Sequence, residues 1–263
     1  MASTCPTGFD INHLRTQVLA TYDRVACEPL GEFHFHRGAD YAADYLGYDR
    51  GELAALPNVS TARFAGVGNP HRIGPIHPGE TVLDHACGAG MDLLLAARRV
   101  GPGGRAIGVD MTPAMCLCAA AAARQAGLSD IVSIRNGYYE DLPVDTGSVD
   151  VVISNGVVNL APDKARVFEE IYRVLKPGGR LYLADVVVQR ELTLDARSNP
   201  DLWAACIGGA LPEPELYDIA STAGFCEARV SDRYDCFRNT SVEGKVAADL
   251  RVSAINFFAR KQS

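Results

Sequence analysis

TVLDHACGAGMDLLLAARRVG, residues 81 to 101, runs a short apolar strand (81 to 85) into a glycine turn. Apolar residues then recur at helical spacing and stop at Gly101. The same strand, turn and helix pattern follows three more times. RAIGVD (105 to 110) precedes TPAMCLCAAAAARQAG, IVSIRN (131 to 136) precedes YYEDLP, and VDVVIS (149 to 154) precedes DKARVFEEIYRVL. Such alternation predicts an α/β fold with a doubly wound, mostly parallel sheet. KPGGRLYLADVVV (176 to 188) adds a fifth strand entered through a glycine turn, and PELYDIASTAG a late helix. FCEARVSD and VSAINFFAR read as a closing antiparallel strand pair. No internal repeat interrupts the pattern.

Residues 1 to about 75 read differently. Helical spacing near LRTQVLATYDRV and HFHRGADYAADYLGY gives way to the Gly- and Pro-rich AGVGNPHRIGPIHPGE. This predicts an N-terminal helical cap or lid over residues 1 to 75, with the ligand-binding domain in 76 to 263 and an acceptor-site insertion around 190 to 212.

With 263 residues, 48% of them hydrophobic, the chain can bury one large core with a modest appendage. A formal charge of -7 argues against a nucleic-acid partner, which would call for a basic face, and favours a small molecule. MASTCPTGFDINHL has no apolar signal core and no later segment offers 18 uncharged apolar residues, so a soluble, cytoplasmic protein without a membrane partner is expected. Oligomeric state leaves no mark in the sequence. Eight cysteines, at 5, 27, 87, 116, 118, 206, 226 and 236, show no paired C-x-x-C spacing, so no metal site is expected. Most read as buried small hydrophobes.

The glycine turn carries the first chemistry. Asp84, Ala86, Gly88 and Gly90 follow D-x-G-x-G-x-G with alanine in the first glycine position. Glycines let the backbone approach a ligand, and the helix amides beyond Gly90 can receive an anionic group. Asp110 ends the second strand, where a carboxylate can accept hydrogen bonds from ribose hydroxyls. A nucleoside ligand follows. NAD fits less well, because the turn lacks the third glycine of G-x-G-x-x-G. Downstream, the strand ending in Ser-Asn-Gly at 154 to 156 closes on polar groups beside a glycine, as a strand opening onto a ligand does.

VLDHACGAG, GVDMTPAM, GYYEDLPV, DVVISN and RVLKPGGRL together resemble class I S-adenosylmethionine (SAM)-dependent methyltransferases over roughly residues 75 to 190. The resemblance implies a Rossmann-like methyltransferase sheet, SAM as cofactor and S-adenosylhomocysteine as product. It puts Asp84 and the loop through Gly90 beside the methionine part, Asp110 at the ribose, Met111 and the segment Tyr138 to Glu140, with Tyr139, around adenine, and Asn155 near the sulfonium.

NLAPDKARVFEEIYRVLKPGGRL, ADVV and LWAACIGGAL narrow the resemblance to the arsenite methyltransferases over about residues 40 to 225. Members of that family hold trivalent arsenic with cysteine thiolates, a soft centre matched to sulfur. By the resemblance, thiols are expected from a glycine-rich loop before the nucleotide domain, from the strand tip and from the W-x-x-C-I-x-G-A-L helix. Here those positions are Val67, Gly156 and Cys206. The expected acceptor is therefore a small organic molecule, with a trivalent arsenic acceptor on altered thiol ligands as the alternative. A non-catalytic SAM-binding protein is the alternative of another class.

Methyl transfer needs an in-line nucleophile, water exclusion and, for some acceptors, a base. His34 and His36 would share one side of an extended segment near Tyr41, making these three the candidate catalytic residues. Gly156, Asn159, Trp203 and Cys206 are the expected acceptor-site residues. His85 is expected to support the turn, and Asn159 to shape the strand tip by side-chain to backbone bonding.

Overall fold

A computed structural model of the protein describes residues 4–204, 206–240 and 252–263. The N-terminal segment contributes α1 (Ile11–Cys27), α2 (Gly38–Leu46), α3 (Arg50–Ala54) and α4 (Asn58–Thr61). Then come β1 (Thr81–Asp84), α5 (Met91–Val100), β2 (Arg105–Asp110), α6 (Pro113–Gln125), β3 (Val132–Asn136), β4 (Val149–Asn155), α7 (Lys164–Val174) and β5 (Leu175–Val188). α8 (Leu194–Arg197), α9 (Pro200–Ala204), β6 (Leu211–Pro212), α10 (Glu213–Thr222), β7 (Phe225–Tyr234) and β8 (Ser253–Lys261) complete the order.

One sheet runs in the order β3-β2-β1-β4-β5-β8-β7, with β6 paired to the end of β5. β1 to β5 are parallel, while β8 lies antiparallel to both β5 and β7. Burial follows position in the sheet. β4, a central strand, buries five of its seven residues, as VDVVISN with apolar residues on both faces requires. β7, at the edge, buries only Phe225 and otherwise alternates half-buried with exposed residues, the period-2 pattern of a strand covered on one face. Strand order reverses between β1 and β4, and the carboxyl ends of these strands open a crevice where ligands of such sheets bind.

Local chemistry sets the helix boundaries near that crevice. α1 starts where Asp10 accepts a hydrogen bond from the His13 amide at 2.9 Å, and α7 where Asp163 caps Arg166 at 3.0 Å. α5 has no side-chain cap. Its N-cap is Gly90 at φ 89°, a left-handed conformation that glycine adopts without strain, so no N-cap side chain covers the first turn of α5 beside the glycine turn.

One expected helix is absent. Between β3 and β4 the chain makes a turn bridged between Tyr138 and Asp141, and no described residue there is helical. Gly137 lies so close to Pro143 that a Cβ would sit 2.8 Å from its Cδ, and a run this short bounded by Gly and Pro cannot nucleate a helix. The cap packs onto the sheet's body. Leu14 and Val18 of α1 share a core cluster with Val186 and Val188 of β5, and Tyr41 and Leu46 of α2 share another with Met91 and Leu94 of α5.

Beyond the tip of β4, Asp185 organises the turn. Its buried carboxylate accepts from the Val158 amide at 2.7 Å and from Asn159 Nδ2 at 2.8 Å. Asn159 thus shapes the strand tip by reaching a carboxylate, not the backbone acceptor expected of it. Lys164 lies next to this turn, fully buried, donating to the Ala161 carbonyl at 2.9 Å with its ammonium 4.3 Å from the Trp203 ring centre.

Burial lowers the Lys164 pKa to about 7, against the opposing pull of Asp185. The unfolded chain therefore binds more protons than the folded one between that value and the ordinary lysine value, so this group's cost is full below pH 7 and shrinks as pH rises. Replacing Lys164 with Met should raise the melting temperature most at pH 6, with the gain fading toward pH 9. A difference in thermal denaturation that does not change with pH would show that Lys164 stays charged in the fold.

Candidate functional site

The carboxyl ends of β1, β2 and β4, with α1 and α4 above them, enclose a cleft of about 830 Å³ counting its mouth. Eight residues expected at the cofactor or acceptor line it: Asp84, Ala86, Gly88, Asp110, Met111, Tyr139, Asn155 and Gly156. Gly90 supplies the turn behind the wall. Glu140 lies just outside and pairs with Arg15 of α1 at 3.3 Å. Asn159, Trp203 and Cys206 form a buried layer behind the strand tip and do not line the cleft.

The three candidate catalytic residues stay outside the cleft too. His36 stacks on Tyr41 with ring centres 4.8 Å apart, as their shared neighbourhood predicts, and its Nε2 donates to the Arg238 carbonyl at 2.6 Å. His34 turns instead toward Phe35, edge to face at 4.8 Å. The two histidines do not converge on one ligand, because the 33 to 37 segment is packed by its aromatics against α1 and α2. His85 bonds Ser154 Oγ at 3.2 Å and the Tyr139 carbonyl at 3.4 Å, and burial lowers its pKa to about 4, so it is a neutral support of the turn.

Asp110 binds its own chain. One carboxylate oxygen accepts from the Gly88 amide at 2.8 Å, the other from Thr112 at 2.8 Å, so it pins the glycine turn while keeping lone pairs toward the cleft. Asp84 is less satisfied. Its Oδ2 is buried in the cleft wall without a hydrogen-bond partner, and its pKa is pushed well above the usual carboxylate range by burial and by Asp92 and Asp110. The cleft also holds Ser60 Oγ and Arg63; among the described residues the buried hydroxyl has no partner and the guanidinium bonds only the Ala26 and Val59 carbonyls. A crowd of carboxylates, an orphan hydroxyl and an arginine without a carboxylate partner together fit a small zwitterion.

Ser60, Arg63 and Tyr22 were not legible in the sequence. Each sits in the cap, where no local motif marks which residue of a helix will face another element. Tyr22 and Val18 on α1 roof the cleft, and Tyr22 stacks on Phe35 with ring centres 6.1 Å apart. Asn155 holds the other wall. Its Oδ1 accepts from the Val67 amide at 2.8 Å and from Gly68 at 3.2 Å, while Nδ2 donates to Asp92 Oδ2 at 3.0 Å and to the Gly68 carbonyl at 3.0 Å. Tyr48 donates to the other Asp92 oxygen at 2.7 Å. A Cβ at Gly66 would overlap Asn155 Nδ2, so only glycine lets the loop come this close. Val67 and Gly156 consequently face each other: a Cβ at Gly156 would sit 3.4 Å from Val67 Cγ1. Gly156 also has φ 75°, a left-handed conformation that disfavours any side chain there.

Comparison with known proteins gives the family. Residues 76–224 match the Methyltransferase domain family. The chain is 44% identical to an arsenite methyltransferase of Halobacterium salinarum over 70% of its length and 46% of the relative's. It is 36% identical to the human arsenite methyltransferase, covering 69% of this chain and 51% of that one. The chain thus spans about half the length of these curated relatives. Among solved structures, an arsenic(III) S-adenosylmethionine methyltransferase from Chlamydomonas reinhardtii superposes with a TM-score of 0.69 at 34% identity, covering 81% of this chain and 73% of that one. A geranyl diphosphate C-methyltransferase from Streptomyces coelicolor A3(2) superposes at 0.64 with 17% identity, covering 94% and 98%, a likeness of fold alone. No helix among the described residues is long and apolar enough to cross a membrane.

The clamp can be tested without any ligand. Asn155→Ala leaves the Val67 amide without its partner and takes one of its donors from Asp92, and should cost about 1–3 kcal/mol, read as a lower melting temperature. Gly66→Ala should do similar damage by forcing the loop off β4. Unchanged melting in both would mean that the loop is held elsewhere.

Proposed function

Because the chain belongs to the Methyltransferase domain family, we propose that it is an enzyme that transfers the methyl group of SAM to a small acceptor. The observation that carries the reading is the unpartnered Asp84 Oδ2 facing the glycine turn, beside Ser60 and Arg63. An α-amino acid end suits these groups: its ammonium pairs with Asp84, and its carboxylate with Arg63, the Ser60 hydroxyl and the N-terminal end of α5. Asp110 offers its remaining lone pairs to the ribose, and Met111, Tyr139 and Gly137 bound the space left for the base.

When bound, SAM supplies a sulfonium methyl already activated for displacement. The chain's own tasks are alignment and dryness. Tyr22 and Val18 cover the cleft from α1, and Arg15 ties that helix to Glu140. Asn155 fixes the wall on which Val67 and Gly156 meet, and so sets how near an acceptor can come. His34, His36 and Tyr41 are not needed for this reading.

For the acceptor, the named relatives favour trivalent arsenic. An organic acceptor is the second reading, and the Val67–Gly156 contact favours it, since the wall is apolar where the resemblance calls for two thiols. Mass-spectrometric detection of methylated products, with arsenite and a panel of small organic metabolites offered in parallel, separates the two.

Calorimetry with S-adenosylhomocysteine tests the cofactor site. Asp84→Asn should weaken binding by about 1.5–3 kcal/mol, the range for a hydrogen bond to a charged group. Because Asp84 has a raised pKa and must be ionised to pair with an ammonium, wild-type affinity should grow as pH rises through that value, and the variant should lose this dependence. Equal affinities and equal pH profiles would remove Asp84 from the site.

A further inference from the structure

Two thiols share the apolar cluster that contains Val67: Cys206, expected at the acceptor site, and Cys236, which has no role so far. Cys206 follows α9 and Cys236 follows β7, 30 residues apart by their numbers, yet both are buried in one apolar cluster with Val67 and Trp203. Their exposures are 7% and 4%. Each is a free cysteine. The thiols of Cys87, Cys116 and Cys226 donate to backbone carbonyls at 3.6, 3.4 and 3.3 Å, whereas among the described residues no hydrogen bond engages the sulfur of Cys206 or Cys236.

The pair is close enough to interact electrostatically. The Cys236 pKa is raised by burial and then by Cys206, and Tyr41 is raised by burial and then by both thiols. Tyr41 of α2 therefore feels the charge of both thiols, although it packs in the neighbouring cluster with Met91 and Leu94. His36 comes near as well, through the Arg238 carbonyl two residues past Cys236. Two residues singled out from sequence as catalytic thus flank the thiol pair and not the cofactor cleft. Cys206 also has φ 61°, a conformation that favours glycine, in a segment that uses glycine at 208 and 209.

We propose that Cys206 and Cys236 form a two-thiol site for a trivalent arsenical, built on a different second sulfur from the loop and strand-tip positions that Val67 and Gly156 occupy. The inference rests on the arsenic reading of the acceptor. Sulfur is the matched ligand for a soft centre, and the apolar walls exclude harder competitors. Arsenite enters as As(OH)3: two As–O bonds break, two As–S bonds form, and each thiol proton leaves with a hydroxyl as water. Arsenic stays trivalent and no oxidant is required. Because the protons depart as water, a thiol that burial keeps protonated, with its pKa pushed up to about 12 at Cys206, remains competent. The third oxygen stays on arsenic as a hydroxyl.

Phenylarsine oxide is the probe, since it bridges two neighbouring thiols with loss of one water and needs no turnover. The full-length, reduced protein should take up one bridged adduct, and peptide mapping should find it across Cys206 and Cys236. Cys236→Ser should weaken binding roughly 100-fold or more by removing the second, intramolecular attachment. S-adenosylhomocysteine binding by the same variant reports on its fold, and mapping of the wild type needs no variant at all. An adduct bridging other cysteines, or attached through a single thiol, overturns the proposal. Bridging at Cys206 and Cys236 without methylation of arsenite would uphold the site while removing arsenic as the acceptor in methyl transfer.

Discussion

The amide of Asn155 at the tip of β4 is the junction on which the rest of the site depends. Its oxygen takes the Val67 and Gly68 amides and its nitrogen gives to Asp92 and the Gly68 carbonyl, so one side chain joins the central strand, the cap loop and α5. Val67, Gly68 and Asp92 are buried and Asn155 is half-buried, which makes each bond costly to lose. A ligand contact for Asn155 is therefore secondary. Its amide is occupied in holding together the walls between which a methyl group would pass.

Charge explains the remainder of the cleft. Asp84, Asp92 and Asp110 converge from β1, α5 and β2, and carboxylates so crowded resist ionisation until something positive arrives. Asp110 is steadied by two backbone amides and Asp92 by Asn155 and Tyr48, which leaves Asp84 as the member with an open oxygen. A second buried carboxylate, Asp185, does for the turn after β4 what Asp110 does for the glycine turn. It gathers the amides of the turn after Gly156 and fixes Asn159, against which Trp203 and Cys206 are layered.

Residues close in sequence were easy to read. The glycine turn, Asp84, Asp110, Met111 and the Asn155–Gly156 tip all occur at or next to strand ends, where local pattern alone fixes which way a side chain faces. The segment after β3 misled because YYEDLP carries charged and aromatic residues compatible with a helix, while Gly137 and Pro143 close it into a turn. The histidines misled for a different reason. Alternation in HFH holds for an extended strand, but the segment is irregular, and Phe33 and Phe35 take the positions facing the cap core.

The sequence by itself determined the winding of the sheet, the nucleoside-type turn and the absence of cysteine from two of three expected positions, because each follows from a periodicity or a motif a few residues long. Tertiary structure alone decided which cap residues matter. Tyr22, Ser60 and Arg63 reach the cleft, and Cys206 and Cys236 enter one cluster, only because helices and strands remote in the chain are pressed together by burial of their apolar faces. No local rule encodes the angle at which α1 and α4 cross the sheet. That angle is set by how Leu14, Val18 and their partners pack, and it places every side chain that the sequence left unassigned.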